Sequence, residues 1–174
     1  MTVAPERNEA APYYFTYIDR VSTDDIVGFL QAQLTESLSF LEGISEEKSL
    51  YRYAAGKWSI RQVLNHVSDT ERTFQFRALW FARGFEEPLP SFEQEIAAAG
   101  AAADVCAWHN HVEEFKAVRL ASVAFFRNLP PGAWARAGVA SGKSFTVRAI
   151  AYIVAGHYLH HAAIIRERYL PGPK

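Results

Sequence analysis

The chain has 174 residues, 49% hydrophobic, 14% aromatic and 21% charged, with 18 Lys+Arg against 19 Asp+Glu. That mixture excludes a disordered chain. At a net charge of −1 it also excludes a dedicated nucleic-acid binder and a protein held by charge on an anionic membrane. The single cysteine, Cys106, excludes an internal disulfide and any multi-cysteine metal site.

Residues 1–12 are polar with two prolines and read as a flexible N-terminal arm; residues 13–174 read as one domain. No signal-like apolar stretch stands in MTVAPERNEA, and no apolar run approaches the roughly 20 residues that span a bilayer. A soluble, cytoplasmic protein with no membrane partner is expected. The aromatics of YYFTYIDRV, residues 13–21, are expected to clamp on the body of the domain, and 13–18 is the one stretch with a β leaning.

Four long segments follow with helical period. The first runs from about Thr23 to Glu42, with Leu30, Leu34, Leu38 and Leu41 on one stripe. The second has the clearest start signal. Ser59 and Gln62 form a capping box, Trp58 and Val63 are spaced as a hydrophobic staple, and Gly84 is a natural stop. A third runs from about Asp104 to Asn128, and a fourth from a Thr146 N-cap to Tyr169, with Pro171 beyond its end. Between the second and third lies Phe85–Ala103, a connection long enough to be functional or to form its own short helix. No convincing strand is present. The expected fold is all-α, a four-helix bundle with a long crossover between helices two and three.

Three of the six histidines stand in GHYLHH on the fourth segment. Positions 150, 154, 157, 161 and 164 share a helical stripe, occupied by Ile, Val, His, His and Ile. Two imidazoles four residues apart in an apolar stripe are hard to satisfy by hydrogen bonds alone, and the spacing aims both at one point. His66, on the shoulder of the second helix's stripe, is the candidate third ligand. A hydrogen-bonded core pair is the equally weighted alternative. His160 points about 100° from His161 and reads as a flanking residue, although an i, i+3 pair with His157 is geometrically open. His109 and His111 read as solvent-facing.

KWSIRQVLNHVSDTERTFQFRALWFARG (residues 57–84) and VRAIAYIVAGHYLHHAAIIRERYL (147–170) resemble the DinB/YfiT-like superfamily of mainly bacterial four-helix metalloproteins. YAAGKWS and PLPSFEQE extend the resemblance over roughly residues 13–170. It implies a divalent metal held by one histidine of helix two and an HxxxH pair of helix four. Residue by residue these are His66, His157 and His161, the same three the stripe selects. Relatives often carry a carboxylate where Tyr158 stands, and aspartates where the crossover has Glu93 and Glu95.

Three neutral histidines would leave coordination positions open, the pattern of a catalytic rather than a structural site. Zinc or nickel is the expected ion, with iron or manganese admissible. The resemblance implies a metal-dependent transferase that joins a low-molecular-weight thiol, such as bacillithiol or mycothiol, to a small-molecule substrate. A hydrolase and a non-catalytic stress-associated metal-binding module are the alternatives. A homodimer is expected from the resemblance and from the aromatic-rich surface. Asp69 reads either as a carboxylate orienting His66 or as an ion-pair partner of Arg72 or Arg61. Arg72 and Arg77 read as a solvated face, with anion binding as the alternative. Tyr13, Tyr14 and Tyr17 read as core, with a pocket mouth as the alternative, and the four tryptophans read as core and staple.

Overall fold

Helix ends obey local chemistry at most of the expected places in the computed structural model, which describes residues 3–170. A 3-10 turn, Pro12–Tyr14, runs into the short helix α1, Phe15–Ile18, so the β-leaning stretch is helical. Helix α2, Ile26–Glu42, starts later than expected because Asp25, not Thr23, accepts the amide of Gly28 at 3.0 Å. The capping box forms at α3, Ile60–Arg83. Ser59 Oγ accepts from Gln62 N, and Ser59 N donates to Gln62 Oε1 at 3.0 Å. Gly84 ends that helix at φ 85°, a left-handed conformation that glycine adopts without strain.

The crossover contains its own helix, α4, Gln94–Ala101. Helix α5, Trp108–Arg127, starts later than Asp104, whose carboxylate instead accepts from Ser59 Oγ and Arg52 and ties the crossover to the start of α3. Helix α6, Val147–Ile164, begins at the Thr146 cap, which accepts from Ala149 N at 3.0 Å, and continues as a π-helical turn, Ile165–Tyr169. Pro171 and the last residues of the chain lie outside the described residues, as do the first two of the N-terminal arm.

Two strands unforeseen in the sequence precede α6: β1, Ala137–Ala140, pairs antiparallel with β2, Lys143–Thr146. Their turn, Ser141-Gly142, has positive φ at both residues (53° and 67°), the geometry of a tight hairpin. Both hairpin edges are covered. Ala10 bridges Phe145 and Leu89 bridges Ala140. The stretch read as a loose arm is thus tied down at its end, where Ala10 is buried and buried Glu9 pairs with Arg148.

Helices α2, α3, α5 and α6 form a four-helix bundle in which α3 packs on α5 and α6, and α2 on α5. Its apolar interior is divided in two. One cluster joins the hairpin, α1 and the first half of α6 through Ile150, Val154 and Ala155. The other joins the second half of α6 to the start of α3 through Tyr158, Ala162, Val63 and Val67. His157 falls at the boundary. No helix of the described residues is long and apolar enough to cross a membrane.

Candidate metal centre

The contact between α3 and α6 brings His66, His157 and His161 together. One ligand nitrogen from each lies within 4.8 Å of the others, so the group could hold a metal ion. Ring centroids are 5.1 Å apart for His66–His157, 5.0 Å for His66–His161 and 4.5 Å for His157–His161. The two Nε2 atoms of α6 stand 3.1 Å apart. With metal–nitrogen bonds of about 2.0–2.1 Å, a single ion reaches both.

Burial keeps all three imidazoles neutral. It pushes His66 down to about 4 and His161 down to about 3, with the neighbouring imidazoles adding to the shift at His161. His157 is held well below its ordinary value by burial first and then by His161 and His66. Near neutral pH each ring therefore has a free lone pair, which is the form a metal ligand requires. No carboxylate belongs to the group among the described residues. The donor set suits a borderline divalent ion better than a hard one that prefers oxygen.

Aromatic rings and one hydroxyl orient the imidazoles. Thr70 Oγ1 lies 3.4 Å from His66 Nδ1, Trp58 packs 5.1 Å from the His66 ring, and Tyr17 lies edge-on 5.3 Å from His157. Asp69 takes no part, because its carboxylate accepts from Arg72. His160 is only partly buried, 5.5 Å from the Tyr17 ring, and stands outside the group as expected.

Two clefts reach the histidines from opposite members of the group. One, of about 200 Å³, is lined by His66 and His157 with Tyr13, Tyr14, Tyr17, Phe74, Phe92 and Arg77. The other, of about 320 Å³, is lined by His161 with Trp58, Tyr53, Tyr169, Lys57 and Glu95. Gln94, at the start of α4, borders both. Tyr14, Tyr17 and Trp58 thus pack against the apolar clusters as expected and line the clefts as well, whereas exposed Tyr13 is cleft wall alone.

Several other sequence readings change. His111 is buried, not solvent-facing, because Nε2 sits 2.8 Å from the carbonyl of Ala103 in the crossover that folds over this end of α5. His109 is exposed as expected. Arg72 is exposed and paired with Asp69 and Glu114, but Arg77 is buried. A network under the site was missed altogether. Arg119, fully buried, donates to both Glu71 oxygens at 2.8 and 2.9 Å and also to Gln33, whose amide reaches the carbonyl of Ala155. Glu71 is four residues beyond Val67, and Arg119 is four beyond Phe115. Opposite charges on two apolar stripes were the available signal.

The model of the DinB superfamily matches residues 30–165. The chain belongs to the DinB superfamily. Among solved structures it is similar to YfiT from Bacillus subtilis, described as a probable metal-dependent hydrolase with an unusual four-helix bundle topology. The TM-score is 0.72 at 17% identity, covering 84% of this chain and 87% of that one. No curated protein matches it. In this DinB chain Tyr158 stacks on Phe115 at 5.2 Å within the second apolar cluster, and it is not a member of the histidine group. Glu93 is exposed ahead of α4, whereas Glu95 lines the cleft that holds His161.

Proposed function

We propose that the protein is a divalent-metal-dependent enzyme whose ion is held by His66, His157 and His161, and that it transfers a low-molecular-weight thiol to a small electrophile. The observation that carries this reading is the pair of clefts meeting at one set of neutral imidazoles. A hydrolase needs room for one organic substrate and water, whereas group transfer needs room for two. Bound there, a divalent cation supplies Lewis-acid chemistry that lowers the pKa of a water or thiol beside it.

The chain's own residues do the rest. Three uncharged ligands leave the full charge of the site to attract an anionic nucleophile. Tyr17 and Trp58, packed on the imidazoles, hold the ring orientations and keep water off their flanks. Among the described residues Glu95 is the one carboxylate lining either cleft, and it is the candidate to accept the proton that the thiol gives up.

Hydrolysis is the second reading, favoured by the fold shared with a probable metal-dependent hydrolase. Protein loaded in turn with zinc, nickel, iron and manganese would be assayed with several low-molecular-weight thiols against an aryl halide and an epoxide, and without thiol against esters and amides. Thiol consumption that vanishes in His161→Ala supports transfer. Thiol-independent turnover supports hydrolysis instead.

A further inference from the structure

Three arginines are buried among the described residues, and two of them face carboxylates: Arg61 pairs with Glu46, and Arg119 with Glu71. The third, Arg77, is 5% exposed and has no ion-pair partner among the described residues. Its Nη2 donates to Ser141 Oγ at 2.9 Å and, more weakly, to the carbonyl of Pro90 at 3.4 Å. Nε and Nη1 make no hydrogen bond among the described residues. The guanidinium lies 5.3 Å from the Phe74 ring centroid. A buried guanidinium without a counter-charge is costly, and it stays protonated. Burial pushes Arg77 below its ordinary value and only Tyr14 opposes the shift.

The side chain is held there by parts distant in sequence. Ser141 sits in the hairpin turn, whose amide donates to Leu89 O, and Pro90 follows in the crossover. Hairpin and crossover together pin the guanidinium on the wall of the cleft that also holds His66 and His157. Tyr13, Tyr14 and Phe92 supply aromatic surface between them. A cleft of about 200 Å³ is smaller than the roughly 300–1,000 Å³ of drug-sized sites.

We propose that Arg77 is the anchor for a carboxylate on the substrate, which is a small molecule with an aromatic or apolar body lying between Arg77 and the histidines. The planar fork of a guanidinium binds a carboxylate through two parallel hydrogen bonds on an edge that pairs Nη2 with Nε or with Nη1. A carboxylate seated on Arg77 takes one bond from a free nitrogen and replaces the weak 3.4 Å contact of Nη2 to the Pro90 carbonyl with the other. The substrate's negative charge supplies the counter-ion that the fold withholds. This rests on the proposed function for the reacting end of the molecule, but the anion site itself does not require the metal.

The test is titration with benzoate, with benzamide as neutral isostere and inorganic phosphate as a competing anion, on metal-free and metal-loaded protein. Metal content is measured separately. Benzoate is expected to bind the metal-free protein at least tenfold more tightly than benzamide or phosphate. Arg77→Met should lose tenfold or more of that affinity, and Arg72→Met, on the exposed face, should lose none. As a check that needs no variant, benzoate should shift the Arg77 Nε–H resonance of the unaltered protein. Equal benzoate affinity in Arg77→Met, an unmoved Arg77 resonance, or preference for phosphate would each overturn the proposal. If no metal is taken up but Arg77-dependent benzoate binding persists, the metal reading fails and the anion site stands.

Discussion

The carbonyl oxygen of Tyr17 occupies the space where a side chain at position 156 would begin: a Cβ on Gly156 would lie 2.1 Å from it. Glycine within α6 lets the backbone of α1 approach the helix one residue before His157, and that approach sets the Tyr17 ring against the imidazole. Exchanging a mid-helix glycine for alanine ordinarily stabilises by up to about 1 kcal/mol. Here the sign reverses, because a backbone atom cannot rotate away. Gly156→Ala is expected to cost about 3 kcal/mol, the upper end for overpacking, read by denaturant unfolding.

Metal affinity should separate ligands from neighbours on α6. His66→Ala, His157→Ala and His161→Ala should each lower affinity by orders of magnitude in a chelator-competition titration. His160→Ala should cost no more than the 10–100-fold typical of a supporting residue. Loss of metal in His160→Ala with retention in His161→Ala would mean that the i, i+3 pair holds the ion.

The buried network predicts a large single effect and a small double one. Glu71→Gln leaves the fully buried charge of Arg119 without its carboxylate and should cost about 3–5 kcal/mol. Replacing both partners by apolar side chains, Glu71→Met with Arg119→Met, should recover most of that loss, because no unpaired ion is left buried. Thermal unfolding of the three proteins measures both numbers.

Acid stability should depend on the docked N-terminal segment. Burial alone would raise the Glu9 carboxyl, but hydrogen bonds from Arg148, Thr146 and the Glu6 amide outweigh it and hold the group below its ordinary 4.5. A carboxyl depressed in the folded state adds stability that is full above the unfolded value and is lost as pH falls through the folded one. The difference in melting temperature between the unaltered protein and Glu9→Gln should therefore be constant from pH 7 to about 5 and shrink below about 4.5. An unchanging difference down to pH 3 would remove Glu9 from this role.

Helix ends, the bundle and the three histidines were legible in the chain because each is written in short-range spacing. Ser59 and Gln62, Gly84, Thr146, and the pair His157 and His161 all lie within one or two helical turns of the partners that give them meaning. His66 could be nominated from its place on the α3 stripe, since two amphipathic helices facing one core must bring their stripes together.

What only the tertiary structure decided lies in contacts between segments far apart in sequence. Hairpin pairing of residues 137–146 draws on Ala10 and Leu89, and these partners carry no local signal. His111 is buried because Ala103 folds back over it, and Arg119 finds Glu71 across 48 residues. Arg77 looked like one more charge on a polar helix face. Its burial, and its place in the same cleft as His66, follow from a crossover and a turn that close over it from 13 and 64 residues away. Periodicity reports which face of a helix is apolar; it cannot report which loop will cover a polar one.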